Sequence, residues 1–349
     1  MSDVKTVYVG LSGGVDSSVS AALLKEQGYH VVGVYMKNWS RDLPGYPCPW
    51  KEDYQDAKRI AVQLDIEFKM FDFENEYFSK VVQYMLDGFT EGITPNPDVM
   101  CNQEIKFKLF LQTALEQGAD YIATGHYART QNGNLVMAVD SNKDQTYFLY
   151  RMNAEAVAKT LFPVGGMTKP EVRAYAQKHN LITATKKESM GICFVGKVGI
   201  KEFLQQFLPV QPQGNIINQY GMTVGRHDGA VYYTIGQRHG LQLGGGLPYY
   251  VTGKNMQKNE VYVTTDLQDD KLWKSTIQLA STHWINNPPS DGEVYVRTRH
   301  RGPLIKVDKI KVDNGTATLE LSEPLRALTP GQSAVLYMNE VCVGGGIIC

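Results

Sequence analysis

The sequence predicts an α/β fold, a parallel sheet flanked by helices, followed by small β-rich domains, the last a β-barrel. Three observations predict it. Apolar, strand-like runs alternate with helix-periodic segments through the first half, as in a parallel sheet covered by helices. A Ser-Gly-Gly turn at residues 12–14 joins the first such strand to the first such helix. After about residue 200 the pattern changes to short strands punctuated by glycine and turn residues.

Residues 6–11 are β-prone and apolar, as a buried parallel strand is. Val19, Leu23 and Leu24 then recur at helical spacing, and Gly28 supplies the stop. Residues 31–36 and 66–71 read as further strands, with Ala57, Ile60, Ala61 and Leu64 marking a helix face between them. Tyr77, Val81, Met85 and Phe89 mark another helix. A third runs from about Asn102 to Gln117, with Ile105, Leu109 and Leu115 on its apolar side and Gly118 beyond it. Residues 121–124 read as a strand ending at Gly125-His126. Ligands of such sheets sit beyond the carboxyl ends of the strands. Residues 10–18, Met36, the 94–101 loop and Gly125 all fall there, so one crevice would serve them all.

Residues 203–209 are expected to close a linking helix. Strand-like runs follow at 230–235, 249–252 and 260–264. From Trp273 onward come runs at 293–298, 304–307, 317–321, 334–338 and 341–345, the pattern of a small barrel or sandwich; the barrel is the expectation. The expected domains are 1–200, 201–272 and 273–349.

A chain of 349 residues has ample core for two or three domains. No apolar run of the length of a membrane span occurs, so no membrane partner is expected. The start lacks the profile of a secretory signal. Five scattered cysteines, an odd number, argue against a disulfide scaffold and for a reducing compartment, so a cytoplasmic location is expected. The formal net charge of −1 gives no global sign of nucleic acid, and any such binding must use local basic patches. No cysteine pair or His/Cys spacing resembles a zinc site, and no protein-held metal is expected.

The Ser12-Gly13-Gly14-Val15-Asp16-Ser17 turn opens a helix, so it aims unpaired backbone N–H groups and a positive dipole end at one spot. That spot suits phosphate. Neither familiar glycine loop fits: no lysine follows as in G-x-x-x-x-G-K-[ST], and the adjacent glycines break G-x-G-x-x-G. The bland alternative is a helix capped by Asp16 or Ser17, with glycines for a tight bend.

Two further segments carry reactive residues. In TPNPDVMCNQEIKFK, residues 94–108, two prolines stiffen a loop and Cys101 is expected where the next helix begins. A helix N-terminus lowers a thiol's pKa. Asp98 is a candidate acid/base or a turn residue, and Cys101 alternatively a small buried hydrophobe. In KKESMGICFVGKVG, residues 186–199, Cys193 lies between Gly191 and Gly196. Two loop cysteines would suit thiol exchange, but spacing alone does not bring them together. Cys48, Cys342 and Cys349 have no such context and read as structural or incidental.

The 12–17 turn resembles the PP-loop of ATP pyrophosphatases, which cleave ATP between its α and β phosphates. Its company narrows the resemblance: Asn96-Pro97-Asp98 with Cys101-Asn102, Gly125-His126-Tyr127, the 143–148 run KDQTYF, the 190–194 run MGICF and the 233–238 run YTIGQR. Together these resemble tRNA-specific 2-thiouridylases, the MnmA/TrmU family, from end to end. The resemblance implies a PP-loop ATP-binding catalytic domain at 1–200, a central linking domain at 201–272 and a tRNA-binding barrel at 273–349. It implies that ATP, with Mg²⁺, adenylates the C2 oxygen of the wobble uridine at position 34. Cys193 then carries a persulfide, Cys101 is the second thiol that closes a disulfide with it, and Asp98 is the acid/base. Gly10, Leu11, Ser12, Gly13, Gly14, Val15, Asp16 and Ser17 would hold ATP with Met36 and Gly125. Asn96, Pro97 and Asp98 would lie beside the target base, and Lys143, Asp144, Gln145, Arg299 and His300 would touch tRNA.

Implied partners are lysine, glutamate and glutamine tRNAs and a sulfur-relay protein or cysteine desulfurase. On a strand, Arg297, Arg299 and Arg301 would share one face as a phosphate track; a solvated charged strand is the alternative. Two rival functions are an amidating ligase using ammonia and a non-catalytic tRNA-binding protein.

Overall fold

The computed structural model describes residues 4–187, 198–244, 246–290 and 292–349. Strands β1 (Thr6–Gly10), β2 (His30–Lys37), β3 (Glu67–Asp72), β4 (Tyr121–Ala123) and β7 (Thr160–Leu161) form one sheet in the order β3-β2-β1-β4-β7. Every neighbouring pair is parallel. The chain runs outward from β1 through β2 and β3, then returns to the other side of β1 for β4. That reversal opens a crevice beyond the carboxyl ends of β1 and β4.

Both faces of β1 are buried, which is why its apolar run is nearly continuous. Val7 and Val9 pack on one face with Val19 and Leu24 of helix α1 (Val15–Glu26) and Ile60 of α2 (Trp50–Gln63). Tyr8 packs on the other with Val81, Met85, Ile105 and Phe110. Gly28, with φ +85°, lies just past α1 as the expected stop.

The opposite face is covered by two helical runs, 74–90 and 97–116. Each is interrupted by a π-helical stretch, Phe78–Val82 and Cys101–Leu109. The second run begins five residues before the expected start. Asn96 is its N-cap, accepting from Val99 N at 3.3 Å, and Pro97 is its first residue. Both are helix-start signals, and they take effect before the apolar periodicity does.

The linking helix is Ile200–Phe207 and packs Phe203 and Phe207 against Trp39. The central sheet joins β8 (Gly214–Ile217), β9 (Thr223–His227), β10 (Tyr250–Asn255) and β11 (Glu260–Thr264) in the order β10-β11-β8-β9. The strand expected at 230–235 is instead a 3₁₀ turn at Ala230–Tyr232, entered from Gly229 at φ +136°. Ala230, Val231 and Tyr233 are buried there, so the apolar pattern reported burial rather than extension.

The last six strands are β12 (Trp273–Trp284), β13 (Val294–Arg297), β14 (Ile305–Asp313), β15 (Thr316–Arg326), β16 (Ser333–Met338) and β17 (Val341–Ile348). They pair antiparallel in the order β12-β15-β14-β13-β16-β17, and β12 pairs with β17 to close a barrel. Ile277, Leu279, Val296, Leu319 and Leu336 fill it. A hairpin from the first half of the chain, β5 (Arg129–Gln131) and β6 (Asn134–Val136), adds to this sheet. Val136 pairs with Val341 and Leu135 with Cys342. The sequence reading did not foresee the hairpin, because three-residue strands are too short for a periodic signal.

Candidate active site

The glycine turn leaves β1 and enters α1 at Gly14, an N-cap residue in extended geometry with no side chain capping the helix. Neither Asp16 nor Ser17 caps it. Ser17 Oγ instead accepts from Ser12 N at 3.2 Å and donates to Gly14 O at 3.1 Å, while Ser18 Oγ donates to Gly14 O at 2.8 Å. These bonds stiffen the turn and leave the first-turn N–H groups of α1 for an anion. Gly13 has φ +73°, and a Cβ on it would lie 2.7 Å from Asp53 O, so both conformation and space require glycine.

Gly125, just past β4, is pressed against the same turn: a Cβ there would lie 2.6 Å from Ser17 N. A Cβ on Gly10 would lie 2.9 Å from Met36 Cε. The strand ends therefore bring Gly10, Met36, Gly125 and the turn together. Leu11 and Val15 are buried in the core beneath it. Asp16, the charged side chain of the turn, accepts from Tyr127 Oη at 2.8 Å and from Lys169 Nζ at 2.7 and 2.8 Å.

Cys101 is the fifth residue of the 97–116 helical run and only 1% exposed. The expectation placed it at the helix start. It lies instead one turn inside, beyond the reach of the terminal dipole, because Asn96-Pro97 opens the helix earlier. Asp98 does occupy the first turn. Burial pushes its carboxyl above the usual range, opposed by the charge of Lys106. Lys106 Nζ lies 3.3 Å from His126 Nε2, and His126 Nδ1 lies 2.8 Å from Thr124 Oγ1. Burial, with Lys106, holds His126 well below its ordinary pKa, so its ring is neutral at pH 7. Residues 125 and 126 thus touch both parts of the site: Gly125 meets the turn and His126 meets the Cys101 helix. Cys193 lies outside the described residues.

The loop before Asn96 is docked on the other domains. Thr94 N donates to Pro330 O at 2.8 Å, Gln332 Nε2 donates to Thr94 O at 2.8 Å, and Thr94 Oγ1 lies 3.1 Å from Thr234 Oγ1. A cleft of about 290 Å³ opens at this junction, lined by Thr94, Thr234, Gln237, Arg299, Thr329 and Gln332 among others.

The residues expected to touch tRNA divide. Lys143 is half-buried, and Gln145 Oε1 accepts from Tyr127 N at 2.9 Å. Asp144 is buried and turned inward, accepting from Ala138 N, Thr146 Oγ1 and Arg297 Nη1. Its carboxylate has no outward face for RNA. Arg299 Nη2 donates to Ala327 O at 2.8 Å, and the His300 ring lies 4.7 Å from that of Phe148. The phosphate track expected from Arg297, Arg299 and Arg301 does not form. Strand β13 ends at Arg297, and Arg301 sits in a turn with φ +60°, so the three share no face. Lys169 and Lys106 were given no role from the sequence, and His126 was named only within the 125–127 motif. Only His126 had a signal, its place beside Gly125.

The sheet order and the uncapped glycine turn define an α/β domain of the HUP, or PP-loop, class, here followed by two β domains. Family models match in the same order: a tRNA methyl transferase HUP domain over residues 5–197, a tRNA methyl transferase PRC-barrel domain over 201–265 and an aminomethyltransferase beta-barrel domain over 274–348. The chain belongs to the tRNA-specific 2-thiouridylase family. It is 46% identical to the tRNA-specific 2-thiouridylase MnmA of Enterococcus faecalis over 98% of this chain and 94% of that protein. It is 47% identical to the enzyme of that name from Bacillus subtilis, with the same coverage of both chains. A solved 4-thiouridine synthetase–RNA complex with bound ATP covers 58% of this chain and 50% of that one at 16% identity, with a TM-score of 0.37.

Proposed function

We propose that this chain makes 2-thiouridine at wobble position 34 of tRNA, adenylating the C2 oxygen and then replacing it with sulfur from a cysteine persulfide. The observation that carries the reading is the Gly125-His126 junction, where the glycine turn and the Cys101 helix converge. A two-stage substitution needs an anion cradle and a thiol-bearing element at one strand end. The domain reading follows: 1–200 catalytic, 201–272 linking and 273–349 tRNA-binding.

ATP fits the turn, whose donors are backbone N–H groups at a helix N-terminus. ATP supplies the adenylyl group that makes the uridine C2 oxygen a good leaving group. Residues 12–17 hold the pyrophosphate, and Met36 and Gly125 flank the adenosine. Mg²⁺ belongs with the phosphates; among the described residues no group of three or more His, Cys, Asp and Glu is placed to hold an ion. Asn96 and Pro97 sit beside the target base with Asp98, whose buried carboxyl is raised and so suited to moving a proton during sulfur transfer.

In the sulfur step a C–S bond forms at C2, the C2–O bond breaks and AMP leaves. The sulfane sulfur gains two electrons from the thiols of Cys101 and Cys193, which become a disulfide; an external dithiol resets them. A relay protein or cysteine desulfurase loads Cys193. Lysine, glutamate and glutamine tRNAs are the substrates, and the enzyme works in the cytoplasm.

Incubation with ATP, tRNA and sulfide, followed by nucleoside mass analysis, tests the reading. A 2-thiouridine product that requires ATP supports the ATP-dependent replacement of oxygen by sulfur; sulfide bypasses the persulfide, so enzyme carrying a persulfide on Cys193 replaces it to test that step. A product carrying nitrogen supports an amidating ligase. Methylated uridine formed without ATP would match the methyl transfer named in the family descriptions. ATP or tRNA binding without product supports a binding protein.

A further inference from the structure

We propose that the barrel sets the position of the target-base loop, with Gly331 as the positioning residue and Thr94 as the joint. The inference rests on the functional reading above and adds to it two residues outside the reacting groups. Both backbone polar groups of Thr94 are held by the barrel. Its N–H donates to Pro330 O at 2.8 Å, and its carbonyl accepts from Gln332 Nε2 at 2.8 Å. Gly331, between those two partners, adopts φ +90°, and a Cβ on it would lie 2.9 Å from Thr94 N, C and O. Only glycine allows both that conformation and so close an approach. The barrel loop is itself anchored. Gly331 N donates to Ile348 O and Ile348 N to Gln332 O, both at 2.8 Å, which ties the loop to the closing strand β17.

What is fixed at Thr94 reaches the chemistry through a stiff lever. Pro95 and Pro97 hold φ at about −65° on either side of Asn96, the residue that caps the helical run bearing Asp98 and Cys101. Pro95 also lies against Gly88 of the 74–90 run, where a Cβ would come within 2.9 Å of its Cγ. The segment therefore has little room to absorb a displacement by bending. The central domain meets the same joint, since Thr94 Oγ1 lies 3.1 Å from Thr234 Oγ1. Three domains converge on one residue of the loop. A tRNA gripped by the barrel is thereby held in fixed register with the residues beside its target base. An added Cβ on Gly331 would have to push Thr94 away by about 0.6 Å to reach ordinary contact at about 3.5 Å. Misplacing reacting groups by about 1 Å costs about 10²-fold in rate, so a loss of about tenfold is the scale to expect.

The test measures ATP-dependent 2-thiouridine formation from sulfide, with tRNA varied, on the full chain, on Gly331→Ala and on Gly315→Ala. Gly315 is the control, another barrel glycine, at φ +77°, with nothing within 4 Å of an added Cβ. Gly331→Ala should lower kcat at least about tenfold, with the KM for tRNA and the Kd for ATP within about twofold. Gly315→Ala bears the same kind of backbone strain and should keep kcat within about twofold. Should Gly331→Ala not fold, Thr94→Val, which keeps the side chain's shape and removes its bond to Thr234, should lower kcat about fivefold with KM unchanged. Wild-type kcat in the folded variant would overturn the proposal. So would an equal loss in Gly315→Ala, or a loss that appears in the KM for tRNA instead, which would make Gly331 an RNA-binding residue. A wild type that makes no 2-thiouridine would remove the functional reading itself, and this inference with it.

Discussion

Asp144, buried, and Arg297, largely covered, are ion-pair partners 3.0 Å apart, one from the loop after β6 and the other from the end of barrel strand β13. Asp144 is 2% exposed, and the Arg297 guanidinium also lies over the Tyr337 ring. The pair joins the first domain to the barrel. Removing one partner strands a buried charge, so Arg297→Met should cost about 3–5 kcal/mol of unfolding free energy. Urea titration checks this. A variant of wild-type stability with weaker tRNA binding would mean that Arg297 reaches RNA after all.

Gly125→Ala should weaken ATP binding by about tenfold or more, about 1.4 kcal/mol. The added Cβ would meet Ser17 N and the Asp16 backbone, and neither can move without moving the start of α1. Calorimetry with ATP reads the loss. Unchanged affinity would show that the turn has slack at β4.

Asp98→Asn should keep ATP and tRNA binding but lower thiolation at saturating substrates by about 10²-fold or more, as for a lost acid/base group. The amide preserves the loop's shape and removes the proton. Near-normal turnover would reduce Asp98 to a helix-start residue.

Stability should fall as the pH drops below about 6.5. His126 and His283 have pKa values lowered by burial, so the unfolded chain takes up protons that the folded chain refuses. The stability they contribute is present above the unfolded pKa and is lost below it. Asp98 and Asp53, raised by burial, act in the opposite sense nearer pH 4. Urea midpoints at pH 7.5 and 5.5 should differ less in His126→Gln than in the wild type. Equal differences would place the pH sensitivity elsewhere.

A single turnover without reductant should leave a Cys101–Cys193 disulfide, with Cys48, Cys342 and Cys349 as thiols. Non-reducing peptide mapping reads it. Cys101 is buried and fixed in a helix, and the bond requires the two Cα atoms to come within the separation a disulfide tolerates, about 7 Å. Full multiple-turnover activity in Cys101→Ser would show that sulfur reaches uridine by another route.

The sheet of the first domain was legible because its central strands β1 and β2 are buried on both faces and its helices keep their periodicity. Ala57, Ile60 and Ala61 are buried as their spacing required. The turn at 12–14, Met36 and Gly125 also met as expected, since the strand ends fix them. What escaped depends on partners remote in sequence. Lys169 shows no local pattern, and the β5–β6 hairpin acquires meaning only from β17. Arg297, Arg299 and Arg301 alternate as strand residues do, yet the strand stops at the first of them. Cys101 was misplaced by one helical turn because the Asn-Pro start was given less weight than the apolar spacing.

The pairing of Leu135 with Cys342 also sets an order of events during synthesis. Strand β6 leaves the ribosome more than half a chain ahead of β17, the strand that covers its edge. Until then the emerging domain carries a half-paired hairpin with open N–H and C=O groups, the kind of edge that other chains add to. Asp144 meanwhile waits for Arg297 with its negative charge uncompensated. A ribosome stalled before β17 would therefore display a nearly folded first domain that is adhesive at one strand, so β17 shields that domain's open edge.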